Sequence, residues 1–378
     1  MSTAYTTKSW SEVVTIISGK NQKAVQDPNG IYPIYGSGGI MGKATSFLCP
    51  EGSTIIGRKG TINKPIFAKN NFWNVDTAFG IVPGNSLLPK YLFLFCLSHN
   101  FKKLDKSTTI PSLAKSDLLS IEMPIPSLEE QERIVGKIEE LFSEIDNGIS
   151  ALETAKRKLA VYRQVVITSA FPELSANNSV TLQEIAAISS GITKGRKLEG
   201  ADILSLPYLR VANVQNGYLN LREIKEIQLK QSELARFLLE IDDVLYTEGG
   251  DRDKLGRGTV WRGEIPRCVH QNHIFKARLF KEKAVPQYVA YWSMTTPARN
   301  YFYEKGKQSV NLASINKTVL SKLPLPLPSL EKQSEIVSTI DQHMSVCNEI
   351  ENTINKNLQA VAALKQSILK KAFEGNLL

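Results

Sequence analysis

Four cysteines in 378 residues, none at paired spacing, cannot supply a disulfide framework. Cys49, Cys96, Cys268 and Cys347 read as reduced, mostly buried thiols of a cytoplasmic protein rather than as zinc ligands. Long apolar runs are also missing. The longest, around Tyr91 to Leu97, falls far short of the ~20 residues that span a bilayer, so no membrane partner is expected. No cationic segment leads into an apolar one at the N-terminus, and no signal peptide is expected. Histidine is scarce: His270 and His273 are the only close pair, without the further ligands a metal needs.

Catalytic signatures are equally sparse. The Asn/Asp-Pro-Pro-Tyr/Phe signature of amino-methyltransferases is absent, and no Ser/His/Asp arrangement stands out. The glycine-rich run Tyr32–Lys43 invites a phosphate-loop reading but fails it. Ser37 stands where the first glycine belongs, and Ala44 follows Lys43 where a magnesium-binding hydroxyl is required. A turn between strands, or one approaching a DNA backbone, suits it better. Glu248, Asp251 and Asp253 suggest a nuclease cluster, yet Arg252 and Lys254 interleave them, which favours a loop balanced by its own charges. No catalytic centre is expected, and no cofactor or metal in this chain.

What is present is a repeat. Ile110-Pro111-Ser112-Leu113 and Met123-Pro124-Ile125-Pro126-Ser127-Leu128-Glu129-Glu130-Gln131 return as Leu312-Ala313-Ser314-Ile315 and Leu325-Pro326-Leu327-Pro328-Ser329-Leu330-Glu331-Lys332-Gln333. The offset of 202 residues also maps Ala170-Phe171 onto Ala372-Phe373 without a gap. This is far too long for a solenoid unit and reads as a duplicated module.

In each copy the Pro-x-Pro approach leads to a serine that can cap a helix, with Glu130 completing a capping box in the first copy only. Apolar residues then recur at steps of four and three: Ile134, Ile138, Leu141, Ile145, Leu152, Leu159 and Val166, then Ile336, Ile340, Cys347, Ile350, Ile354, Val361, Leu364 and Ile368. The spacing predicts two coiled-coil helices, each about 66 Å long at ~1.5 Å per residue, packed antiparallel on one another. The regions before them alternate β-rich runs with glycine turns: Ile31–Tyr35, Ser53–Ile56, Pro65–Ala68 and Phe79–Pro83, then Tyr208–Val211, Val244–Thr247, Thr259–Trp261 and His273–Leu279. The reading is α+β: two mixed domains at 1–124 and 175–325, each followed by a long helix at 125–174 and 326–378 in a pseudo-twofold repeat. Similarity between the two globular regions is faint.

A net charge of +9 and a pI near 9.2 favour a polyanionic partner. Basic, glycine-flanked loops recur at Ile55–Lys64 and Thr247–Gly258, where arginine and lysine can reach phosphates and guanine edges. The candidate DNA-binding residues are Ser37, Lys43, Arg58, Lys59 and Lys64 in the first region. In the second they are Lys194, Arg196, Arg210, Asn213, Arg252, Lys254, Arg257, Gln271 and Asn272.

These residues resemble the specificity subunits of Type I restriction–modification systems along nearly the whole chain. The likeness rests on the repeated Pro-x-Pro-Ser-Leu-x-x-Gln segments with their long helices, on Tyr35–Gly39 with Ile56–Gly60, and on Pro207–Val214 with Gly256-Arg257. It implies a non-catalytic subunit whose domains each read half of a split, asymmetric double-stranded DNA site while the helices act as a ruler. It also implies two adenine-specific methyltransferase subunits carrying S-adenosylmethionine, and restriction subunits using ATP and magnesium. Lys332, in place of the capping acid, makes the two docking surfaces imperfect copies. The rival reading is a free-standing DNA-binding regulator that dimerises through its coiled coil.

Overall fold

A computed structural model describes residues 5–175, 178–200, 202–251, 255–308 and 313–377. The chain divides into two compact units: Met1–Glu153 with Asn355–Leu378, and Thr154–Ile354.

The first unit contains strands β1 (Val14–Ser18), β2 (Tyr32–Gly36), β3 (Gly39–Ala44), β4 (Thr54–Gly57), β5 (Ile66–Phe67), β6 (Trp73–Asn74) and β7 (Ala78–Pro83). They form a four-stranded sheet ordered β1-β7-β4-β5 and a three-stranded sheet ordered β3-β2-β6. The second unit contains β8 (Ala186–Ser190), β9 (Ile203–Leu209), β10 (Lys225–Lys230), β11 (Val244–Thr247), β12 (Gly258–Val260), β13 (Val269–His270) and β14 (Ile274–Leu279). Their orders are β8-β14-β11-β12 and β10-β9-β13. The two globular parts therefore share one topology despite their faint similarity.

Details of register repeat as well. Both three-stranded sheets hold one parallel pair, Tyr35 opposite Asn74 and Leu209 opposite His270. At the same crossing each unit needs a residue without a side chain. A Cβ on Gly19 would lie 1.9 Å from the Val75 carbonyl oxygen, and one on Gly191 2.0 Å from that of His270. The inner strands β4 and β11 are buried along their whole length, as apolar and β-branched runs demand. Helices α1 (Pro89–Ser98) and α3 (Pro286–Met294) each begin on a proline, whose missing N–H costs nothing in a first turn.

The long helices are α2 (Leu128–Ser169) and α4 (Leu330–Phe373). Ser127 Oγ accepts the Glu130 N–H and Ser329 Oγ the Lys332 N–H, both at 3.3 Å. The expected reciprocal arm goes elsewhere: the Glu130 carboxylate meets Arg133 at 2.7 Å and Tyr5 at 3.4 Å. Both copies thus start on a serine cap.

Gln131 and Gln333 are fully buried and lock each helix start to its domain. Gln131 Oε1 accepts the Leu88 N–H at 2.9 Å, while Nε2 donates to the Ser86 and Pro126 carbonyls at 2.8 and 3.0 Å. Gln333 does the same with Val285, Lys283 and Pro328 at 2.8, 3.1 and 2.8 Å. Tyr91 and Tyr288 add hydrogen bonds to the Pro124 and Pro326 carbonyls.

Each unit also takes in the end of the other long helix. In the first, Phe373 stacks against Tyr91 and Phe95 at 5.2 and 5.3 Å, and Gln366 donates to the Leu97 carbonyl. In the second, Phe171 meets Tyr288 and Trp292 at 4.9 and 5.3 Å, and Gln164 donates to the Met294 carbonyl.

Within each unit the helices run antiparallel. Arg163 joins Asn348 and Glu351, and Lys156 approaches Glu351, in the second unit; Lys365 pairs with Asp146 and lies over Phe142 in the first. The expected seam is only partly used. Cys347 and Ile354 are buried, whereas Ile350 and Leu364 are 44% and 50% exposed. At the helix starts Ile134, Ile138, Ile336 and Ile340 pack into the globular cores instead. Two paired helices bury a narrow strip, so residues just off it face solvent and those at the ends serve the domains. All four cysteines are free and buried.

Candidate nucleic-acid interface

In the first unit three turns converge. Ser37, between β2 and β3, lies against the glycines that bracket Arg58 and Lys59. A Cβ on Gly57 would be 3.0 Å from the Ser37 Cβ, and one on Gly60 3.5 Å from its Oγ. The Arg58 and Lys59 N–H groups both donate to the Thr77 carbonyl, at 2.8 and 3.3 Å. The repeated Ile110–Leu113 segment closes the other side: Leu113 N–H meets the Arg58 carbonyl at 2.9 Å, and Gly60 N–H the Pro111 carbonyl at 2.8 Å. The backbone is fixed from both sides while the basic side chains remain outside. Lys59 is exposed; Arg58 is half-exposed, its guanidinium 5.8 Å from the Phe79 ring. Lys43 lies toward the far end of the β2–β3 hairpin opposite Pro33, and Lys64 is exposed just before β5.

The second unit builds the same frame. Glu248 N–H donates to the His273 carbonyl at 2.9 Å, and Ile315 N–H to the Glu248 carbonyl at 2.8 Å. Glu248 and His273 thus hold the backbone places of Arg58 and Thr77, as the strand registers confirm: Gly57 faces Ala78 and Thr247 faces Ile274. The Glu248 carboxylate contacts His273, whose Nδ1 lies 2.5 Å away. Arg252, Asp253 and Lys254 lie outside the described residues.

The remaining candidates separate. Lys194 is exposed, whereas Arg196 is held by both Glu233 carboxylate oxygens at 2.6 and 3.1 Å. Arg210 is engaged by Glu223, and Arg257 donates to Gln215 Oε1 at 3.1 Å. Gln271 and Asn272 keep half-exposed side chains beside His273, their N–H groups tied to Leu209 and Ile192. Asn213 must be corrected. It is 2% exposed, accepts the Arg210 N–H and donates to the Asn220 and Glu223 carbonyls, so no hydrogen-bonding capacity of its amide nitrogen is left for a base.

The two neighbouring histidines do not share a site. His270 is buried with Nδ1 on the Phe237 carbonyl at 3.1 Å, and burial, reinforced by Lys276, pushes its pKa down to about 4. His273 faces outward. No group of three or more metal-binding side chains occurs among the described residues. Sequence reading gave Gln131, Gln333 and Thr77 no role. The recurrence of the glutamines at the repeat offset was the signal for the first two.

The two units thus carry different side chains at the turns of one backbone frame. The model of the Type I restriction modification DNA specificity domain matches residues 4–154 and 175–360. The chain belongs to this family. Among curated relatives, the Type I restriction enzyme StySPI specificity subunit of Salmonella potsdam is 26% identical over 360 residues, covering 89% of this chain and 76% of the relative. The EcoKI specificity subunit of Escherichia coli K12 is 26% identical over 364 residues with the same coverage. The HsdS subunit of Thermoanaerobacter tengcongensis shares the fold with TM-score 0.64 at 18% identity, covering 99% of this chain and 98% of that one. A type I R-M system chain, solved in work on complex assembly and conformational transition, reaches 0.72 at 18% identity with 99% of both covered. The specificity subunit is thus a non-catalytic DNA-recognition component of a Type I system. Among the described residues no helix is long and apolar enough to cross a membrane.

Proposed function

We propose that the two globular domains each read one half of a split, asymmetric site in double-stranded DNA, and that the long helices set the distance between the halves. Two adenine-N6 methyltransferase subunits dock on the chain and carry S-adenosylmethionine. Restriction subunits that use ATP and magnesium join the same assembly. The observation that carries this reading is the pair of matched turns, with Arg58 and Glu248 in one backbone position of one repeated topology. Two copies of a frame with different side chains suit two different half-sites. A coiled-coil regulator that dimerises is less well supported, because the helices already pair within their own chain.

Alanine at both Arg58 and Lys59 is expected to weaken DNA binding through the first half-site. The slope of log affinity against log salt should fall by about one for each phosphate that the variant no longer neutralises. Titrations of the assembled complex at several salt concentrations measure this. Unchanged affinity and slope would place this turn away from the DNA.

A further inference from the structure

Glu248 presents a problem that the proposed reading must solve. Its counterpart Arg58 suits a polyanion, but a carboxylate facing phosphates is repelled. Glu248 is nevertheless held in that place by two backbone hydrogen bonds, from its N–H to His273 and from Ile315 N–H to its carbonyl.

Its side chain is ordered as well. An ionised carboxylate only accepts hydrogen bonds, so His273 Nδ1 must be the donor in the 2.5 Å contact. Glu248 retains Oε1 and further lone pairs, so the pair offers acceptors. It borders a hollow of about 510 Å³ whose wall includes Val211, Gly249, Gly250 and Ala313. Two adjacent glycines leave the backbone bare there, so a base edge can come close. A base feature that rewards acceptors in the major groove is an exocyclic amino group, N4 of cytosine or N6 of adenine.

We propose that Glu248, oriented by His273, is a specificity-determining residue that accepts a hydrogen bond from the amino group of one cytosine or adenine in the second half-site. This rests on the reading of the two domains as half-site readers. It explains why a basic, DNA-reading chain keeps an acid at this turn: over the right base the hydrogen bond offsets the repulsion from phosphates, and elsewhere that repulsion stands alone.

The test is selection from a pool of randomised duplexes by the assembled complex, with wild type, Glu248→Gln, Glu248→Ala and His273→Gln compared. Wild type should enrich a two-part motif in which one position of one half is restricted to a single base pair, read through its adenine N6 or cytosine N4 amino group. Glu248→Ala should reduce that requirement by about 10- to 100-fold and leave the other half unchanged. Glutamine pairs well with adenine through N6 and N7. Glu248→Gln should therefore switch a cytosine requirement to adenine, or preserve an adenine requirement, which tells the two sources apart. His273→Gln should keep the base and weaken the preference. Thermal melting shows whether a variant is folded, and Glu248→Gln, nearly isosteric, remains readable if the alanine variant is not. Base preferences within twofold of wild type in every folded Glu248 variant overturn the inference and spare the domain reading. A wild-type complex that enriches no two-part motif overturns both.

Discussion

Alanine in place of Gln131 or Gln333 is expected to destabilise the corresponding unit by roughly 4 kcal/mol, since each substitution strips partners from one buried N–H and two carbonyls at about 1–3 kcal/mol per group left unsatisfied. Water entering the cavity would hold the loss toward the lower end of that range. For units of this size the midpoint should fall by about 10 °C. Glutamate at either position should be as damaging. It keeps the acceptor for Leu88 or Val285, loses the donors to the two carbonyls, and buries a charge. Calorimetry of the full chain reads both transitions. A loss below about 1 kcal/mol would show that the glutamines do not anchor the helices.

The second large effect concerns the spacing of the half-sites. Seven residues inserted in each long helix keep the heptad phase and add about 10 Å at ~1.5 Å per residue. Glu153/Thr154 and Ile354/Asn355 are matched levels, because paired residue numbers change in opposite directions, as in Asp146 with Lys365 and Arg163 with Asn348. With the helices as a ruler, the unspecified spacer should lengthen by about three base pairs, DNA rising 3.4 Å per pair along one strand. The recognised bases should not change, because no reading turn is altered. Three added residues would rotate the paired faces by most of a turn and should impair assembly. A spacer that stays fixed while the half-sites change would show that the helices are not the ruler.

The long helices were legible because their repeat has no gaps: the same offset of 202 relates Gln131 to Gln333 and Phe171 to Phe373. The common topology of the globular parts was not. Matched residues there are separated by 172 for Gly19 and Gly191, 190 for Arg58 and Glu248, and 197 for Tyr91 and Tyr288. Insertions accumulate in the loops, so no single register aligns the two domains, although strand after strand corresponds. Individual strands were nonetheless readable from their β-branched runs; Val244–Thr247 was read to its full extent. The basic turn at Arg58 was visible from composition, but its equivalence to Glu248 depends on backbone hydrogen bonds from distant segments, which local sequence does not encode. Asn213 shows the converse. A polar side chain suited to an adenine edge is used up by its own loop, and only tertiary contacts reveal it.

Whether two domains of this chain read two separate half-sites is decided by mapping methylated adenines in DNA exposed to the complete methyltransferase assembly that contains it. A two-part asymmetric motif with an unspecified spacer of constant length is expected. Exchange of residues 175–325 for those of a relative should change one half of that motif alone. A contiguous motif, or an exchange that alters both halves together, would refute the division of the site between the two domains.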